Sequence, residues 1–304
     1  MIKVLATDGM DKSGIAALQA KGVQVDCDFY EPEALCEAVK NYDVLVVRSA
    51  TKVRTAQIDA AAEAGKLKLI IRGGVGVDNI DVKYAEEKGI TVRNTPRASS
   101  DAVAELALAH MFSVARFISI AGHTMREDRW EKKSYKGIEL SGKTVGIIGY
   151  GRIGQALGRR CQALGMKVLA YDIYHAEGVE NENMKYVELD ELLSASDIIS
   201  LHTPSLPGQP LVNEETIAKM KDGVIIINTS RGTNIDETAL LNALNSGKVY
   251  GAGLDVFAEE PAKNKELYSH PKVSGTPHIG ASTAEAQKKI GKEIVDLISD
   301  KFGI

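Results

Sequence analysis

Lys143-Thr144-Val145-Gly146-Ile147-Ile148 runs into Gly149-Tyr150-Gly151-Arg152-Ile153-Gly154, and Gln155-Ala156-Leu157-Gly158-Arg159-Arg160 follows. A short β-branched run, a Gly-x-Gly-x-x-Gly turn and the opening of a helix make the first βα unit of a dinucleotide-binding sheet. Each glycine has a separate task. Gly149 permits the tight turn, Gly151 lets backbone N–H groups approach a pyrophosphate, and Gly154 lets the helix pack on the strand. The helix N-terminus behind them carries partial positive charge suited to that anion. The unit lies near the middle of 304 residues, so a whole domain's worth of chain precedes it.

Working outward, the composition is that of a water-exposed globular chain, with 44% hydrophobic residues, 26% charged residues and a net charge of −4. There is no basic surplus for nucleic acid and no apolar run of the ~20 residues that a membrane span takes. Met1-Ile2-Lys3-Val4-Leu5-Ala6 reads as a strand from the outset, so no signal peptide is expected. Cys27, Cys36 and Cys161 are odd in number and lack metal-ligand spacing; they are expected to be reduced thiols in a cytosolic protein that holds no metal.

Before the glycine turn, β-branched runs at 2–6, 23–27, 44–47, 67–71 and 90–92 alternate with helical patterns at 12–21, 32–40, 56–64 and 82–88. Gly22, Gly65 and Gly89 stand where helices end. That alternation predicts a smaller, flavodoxin-like α/β domain without a phosphate loop of its own. Residues 99–120 form the longest helical signal and are apolar nearly all round, which suits a buried connector or a subunit interface. From Thr144 a second set of seven strand candidates follows, at 144–148, 167–171, 185–187, 198–200, 223–228, 250–254 and 273–275, enough for a doubly wound Rossmann sheet. One helical pattern, 283–302, remains after the last of them and is expected to return to the first domain. The expected division is a discontinuous substrate domain of 1–95 and 282–304 with a nucleotide domain of 96–281 inserted into it. Two crossings would then border a cleft able to close over substrate.

Asp172 ends the strand after the glycine turn, 18 residues beyond Gly154. That is close to the spacing, roughly 20 residues, of the carboxylate that binds the adenine ribose hydroxyls. A carboxylate there repels a 2′-phosphate, and no arginine follows in Ile173-Tyr174-His175, so NAD is favoured over NADP. Farther on, Asn228-Thr229-Ser230-Arg231-Gly232, Asp255-Val256-Phe257-Ala258-Glu259-Glu260-Pro261 and Thr276-Pro277-His278-Ile279-Gly280 each follow a strand. Arg231, Glu260 and His278 therefore fall on one rim, where doubly wound sheets bind ligands. An arginine can grip a carboxylate with two N–H groups, and a histidine beside a carboxylate can move a proton.

Taken in order, Gly-Tyr-Gly-Arg-Ile-Gly, Asn-Thr-Ser-Arg-Gly, Asp-Val-Phe-x-x-Glu-Pro and Pro-His-Ile-Gly resemble the D-isomer-specific 2-hydroxyacid dehydrogenases over essentially the full chain. Pro277-His278-Ile279-Gly280-Ala281-Ser282-Thr283, Arg48-Ser49-Ala50-Thr51-Lys52 and Arg72-Gly73-Gly74-Val75-Gly76-Val77-Asp78-Asn79 most resemble the branch that oxidises 3-phospho-D-glycerate. The resemblance implies that His278 is the acid/base, that Glu260 fixes its tautomer and favours its protonated form, and that Arg231 binds the substrate carboxylate and polarises the carbonyl. It places Gly149, Gly151, Arg152, Ile153, Gly154, Asp172, His202, Thr203, Pro204, Thr229, Ser230, Asp255 and Gly280 along NAD, with Asp255 at the carboxamide. Arg48 and Arg72 would face a substrate phosphate, and Gly74 and Gly76 would open backbone N–H groups to its carboxylate.

Two positions depart from the family pattern. Ser99 stands where an asparagine is common, and Val75 where a threonine is. Arg97 adds a charge that either serves an anionic substrate or is simply solvated. The 304 residues carry no counterpart of the C-terminal regulatory domains of long phosphoglycerate dehydrogenases, so inhibition by serine through such domains is not expected. The expected activity is NAD-dependent oxidation of 3-phospho-D-glycerate to 3-phosphohydroxypyruvate at the entry to serine synthesis, by a homodimer. A glycerate dehydrogenase or hydroxypyruvate reductase is the alternative, and a non-catalytic NAD-sensing corepressor is the reading from another class.

Overall fold

A computed structural model describes residues 1–205 and 208–304, and the chain divides into two compact units, Met1–Ser99 with Ala281–Ile304, and Ser100–Gly280. In the first, β1 (Lys3–Ala6), α1 (Lys12–Ala20), β2 (Gln24–Asp26), α2 (Pro32–Ala38), β3 (Val44–Val47), α3 (Thr55–Ala64), β4 (Leu69–Arg72), α4 (Val82–Glu87) and β5 (Thr91–Asn94) alternate along the chain. The five strands are parallel in the order β2-β1-β3-β4-β5, the flavodoxin order. Strand residues are sorted by the two-residue period. Leu5, Leu45, Val47 and Ile70 face Leu35, Ile58 and Ala85 of α2, α3 and α4. Val4, Val44, Val46, Leu69 and Ile71 pack with Leu18 of α1 and with Ile290, Ile294, Val295 and Ile298. Those last four belong to α12 (Ala284–Phe302), whose N-terminus is capped by the Thr283 hydroxyl. Helices α1 and α12 cross backbone to backbone, since a side chain begun at Gly14 would lie 3.2 Å from the Gly291 Cα.

The second unit opens with α5 (Ser100–Ala115) and α6 (Ile118–Arg126). The single helix expected over 99–120 is in fact broken: Phe117 adopts φ 58°, and the two pieces bend by 67°. No single helix among the described residues is long and apolar enough to cross a membrane. Then come β6 (Thr144–Ile148), α7 (Arg152–Ala163), β7 (Lys167–Tyr171), β8 (Met184–Tyr186), α8 (Leu189–Ala195), β9 (Ile198–Leu201), α9 (Glu214–Lys219), β10 (Val224–Asn228), α10 (Glu237–Ser246), β11 (Val249–Leu254), α11 (Lys265–Tyr268) and β12 (Val273–Gly275). All seven strands are parallel, in the order β12-β11-β10-β9-β6-β7-β8. The order reverses at β6 and β9, and a ligand crevice opens beyond the carboxyl ends of strands at such a point. Ile147, Val168, Ile198 and Ile225 pack with Ala107, Met111 and Leu157 of α5 and α7, while Ile199, Leu201 and Ile226 face Leu192, Ile217 and Leu240. The core is continuous on both faces, which is why these strands read as unbroken apolar runs.

Candidate active site

At the switch point the glycine turn leaves β6 with Gly149 at φ +91°. A side chain begun there would meet the His202 backbone at 2.8 Å, and one begun at Gly154 would overlap the Gly149 carbonyl oxygen. At Gly151, by contrast, a side chain would enter open space, beside the first turn of α7 formed by Arg152 and Ile153. The first two positions are closed by the protein's own backbone. The third leaves room at a helix N-terminus, which suits a pyrophosphate. Asp172, just past β7, anchors this turn: one carboxylate oxygen accepts the Tyr150 N–H at 2.7 Å, the other the Tyr174 N–H at 3.0 Å.

His202 follows β9 with its Nε2 2.9 Å from the Ser200 hydroxyl. Burial pushes its pKa down to about 4, so the ring is neutral. Its Nδ1 and the Thr229 hydroxyl are buried with no hydrogen-bond partner in the protein, two polar atoms that a bound ligand can satisfy. The loop carrying Thr229, Ser230 and Arg231 is tied down by two asparagines that sequence reasoning did not single out. Asn228 donates to the Arg231 carbonyl at 2.8 Å and accepts from Ser230, and Asn234 donates to the Thr203 carbonyl at 3.2 Å. Pro204 follows Thr203 and is exposed.

Gly232 brings this loop to the next one, because a side chain begun there would overlap the Phe257 carbonyl group. Beyond Phe257, Glu260 presents one carboxylate oxygen to the Phe257 N–H at 3.4 Å and the other to His278 Nδ1 at 2.7 Å. Burial pushes the Glu260 pKa up. The His278 hydrogen bond and charge, the Phe257 N–H and the charge of Arg231 together outweigh it and hold the group below the ordinary glutamate value. An ionised Glu260 therefore fixes the proton on His278 Nδ1 and leaves Nε2 as the ring's exchangeable site. His278 sits at φ +54°, a left-handed conformation that costs a residue other than glycine about 1–2 kcal/mol. Buried Asp255 holds it there: its backbone carbonyl accepts the His278 N–H, and its carboxylate accepts the N–H groups of Ile279 and Gly280, each at 2.8 Å.

In the first unit Arg48 and Arg72 follow β3 and end β4. The Arg72 guanidinium fills the space where a side chain at Gly74 would begin, and the Arg48 stem lies 3.6 Å from where one at Gly73 would. The loop through Gly76 is pinned by Asn94, whose amide donates to the Val75 carbonyl, and by the Thr95 N–H on the Gly74 carbonyl at 3.0 Å. Two further residues were given no role from the sequence. Asp8 accepts the N–H groups of Arg48 at 2.6 Å and Thr51 at 3.1 Å, and Asn79 donates to both their carbonyls at 2.7 Å. Asp8 does carry a signal, as an acid just beyond a strand end. Ser99 is buried, Arg97 exposed, and Val75 contributes its carbonyl to the loop while its side chain is partly exposed. Among the described residues no group of acids, histidines and cysteines is placed to hold a metal.

Residues 108–280 match the family described as D-isomer specific 2-hydroxyacid dehydrogenase, NAD binding domain. The chain is 50% identical over 308 aligned positions to a protein of Thermotoga maritima named hydroxypyruvate reductase, covering 99% of both. It is 46% identical over 301 positions to D-3-phosphoglycerate dehydrogenase of Methanocaldococcus jannaschii, covering 98% of this chain but only 57% of that protein. A solved D-lactate dehydrogenase of Aquifex aeolicus, in complex with NAD and lactic acid, superposes with a TM-score of 0.85 at 31% identity, covering 98% of this chain and 94% of that one.

Proposed function

The chain belongs to the D-isomer-specific 2-hydroxyacid dehydrogenase family with NAD as cofactor, and from that premise we propose that it interconverts 3-phospho-D-glycerate and 3-phosphohydroxypyruvate. The observation that supports the choice of substrate is that the Arg72 guanidinium and the Arg48 stem lie against two adjoining glycines, Gly74 and Gly73. Guanidinium groups present several N–H donors to a phosphate's oxygens, so two arginines beside one glycine loop suit a phosphorylated substrate.

Bound NAD would supply the hydride acceptor for oxidation at C2 of the substrate. In that direction His278 Nε2 takes the hydroxyl proton, while Glu260 stabilises the charge that the ring acquires. In reduction the same proton returns to the carbonyl oxygen. Arg231 holds the substrate carboxylate and polarises the carbonyl. Along the cofactor, Asp172 takes the ribose hydroxyls and the turn of residues 149–154 the pyrophosphate, while His202, Thr203, Pro204, Thr229, Ser230 and Gly280 line its path. The carboxylate of Asp255 already receives three donors, leaving one acceptor position for the carboxamide.

A second reading, reduction of unphosphorylated hydroxypyruvate, is favoured by the near-complete coverage in both directions of the Thermotoga maritima relative. The test is kcat/KM for 3-phosphohydroxypyruvate and for hydroxypyruvate with NADH. A clear preference for the phosphorylated acid is the expected result; a preference for hydroxypyruvate selects the second reading, and NAD binding without turnover selects a sensor. We also assign the molecule to a homodimer of a reducing compartment, at the start of serine synthesis. Its support is an apolar strip of exposed Phe112 and Leu164 beside half-buried Leu108, with Ile118, Met125 and Trp130 exposed nearby in sequence, together with three free thiols. Light scattering that returned a monomer would remove the dimer.

A further inference from the structure

Helix α5 carries a histidine whose protons can be assigned from its neighbours. His110 is 2% exposed, with Nε2 3.0 Å from the Thr276 hydroxyl and Nδ1 3.1 Å from the Ser274 hydroxyl. Thr276 donates its one hydroxyl proton to Asp255 Oδ1 at 2.7 Å. The contact with His110 must therefore be made by a proton on Nε2, and Nδ1 accepts from Ser274. This is the neutral ring, in keeping with burial, which lowers the His110 pKa against the pull of the Asp255 charge. A line of donors thus runs from His110 through Thr276 to the carboxylate that binds the N–H groups of Ile279 and Gly280. The position is also a tight one, for a side chain begun at Gly253 on β11 would meet the His110 Cβ at 2.5 Å.

We propose that His110 is a positioning residue for His278, holding the Thr276 hydroxyl on Asp255 so that Asp255 can keep the His278 backbone in its left-handed conformation. The inference rests on His278 being the acid/base. Without the donor that His110 supplies, the Thr276 hydroxyl is free to rotate, and the segment of residues 276–280 relaxes toward ordinary backbone angles. His278 Nε2 is then displaced from the transferred proton, while the glycine turn that receives the cofactor, on β6 and α7, is left as it was.

The experiment compares His110→Leu, which keeps bulk and removes both nitrogens, with His110→Gln, whose amide can donate to Thr276 and accept from Ser274. His110→Leu is expected to lower kcat about tenfold, short of the 10²-fold that a 1 Å misplacement can bring. Affinity for ADP-ribose, which binds the glycine turn but lacks the carboxamide placed at Asp255, stays within a factor of about two by calorimetry, and His110→Gln recovers most of the rate. In a His278→Asn background the same leucine costs nothing further, because the residue it acts through is gone. Wild-type kcat in His110→Leu overturns the proposal, as does an equal loss in both backgrounds, which would mark a general loosening of the unit. Should the leucine variant not fold, Thr276→Val takes its place with the same readouts and outcomes. Wild-type turnover of His278→Asn alone overturns the premise and the proposal together, whereas its collapse with His110→Leu unaffected overturns the proposal only.

Discussion

His278 and His202 show one side-chain type used in two ways. His278 shares a proton with an ionised glutamate 2.7 Å away, and its replacement by asparagine keeps a polar group but would end the proton transfer proposed for it. We expect kcat to fall by about 10²–10⁴, the usual worth of general acid–base catalysis, with NADH binding nearly unchanged. Steady-state kinetics beside a fluorescence titration measure both, and wild-type turnover would rule His278 out. His202 instead refuses a proton, its pKa lowered by burial to about 4 against an ordinary value of 6.5. The unfolded chain takes up that proton below pH 6.5 while the native state does not. Stability from this group is therefore complete above pH 6.5 and lost as pH falls toward 4, by an amount on the order of 3 kcal/mol. Thermal unfolding from pH 7 to 4.5 should show a steeper decline in the native chain than in His202→Asn; parallel curves would refute it. The positions of Arg231, Glu260 and His278 beyond strand ends were legible because each follows a strand within a recognisable motif, while the roles proposed for them await the kinetics above. His110 was not, since a histidine among Ala107, Met111 and Val114 reads as core until its partners on and beyond β12 are seen.

At the scale of elements, parallel strands announced themselves well, for their apolar runs are buried on both faces and all seven expected in the second unit are present. The break at Phe117 was hidden because the apolar pattern continues across it and no glycine marks the left-handed residue. The approach of two loops was equally hidden. Gly232 lies against the Phe257 carbonyl group, a contact between residues 25 positions apart that no spacing rule reveals. Gly232→Ala would force the Arg231 and Glu260 loops apart. We expect kcat/KM for the 2-oxo acid to fall at least tenfold, with NADH affinity within a factor of about two, as when an orienting contact is lost. Equal loss of both would show that the whole rim had collapsed.

For the molecule as a whole, the fold class was legible because βα alternation marks parallel sheets, while the same alternation leads to a different strand order in each unit. Ile290, Ile294, Val295 and Ile298 of α12 complete one face of the five-stranded sheet. Burying each is worth about 1.5–3 kcal/mol, so together they rival the 5–15 kcal/mol stability of a typical domain. Deleting residues 281–304 is expected to unfold the first unit and to leave the seven-stranded unit folded. Calorimetry and limited proteolysis would check this, and a protected fragment of residues 1–99 in the deleted chain would contradict it.

The placement of α12 also sets an order of events during synthesis. The seven-stranded unit is made in one stretch and can fold as it emerges, but the five-stranded sheet waits for a helix encoded after all of it. At translation rates of roughly 5–20 residues per second, that wait lasts about 10–40 s. Through that interval Val4, Val44, Val46, Leu69 and Ile71 have only α1 to shield them, which makes the nascent first unit a natural client for chaperones.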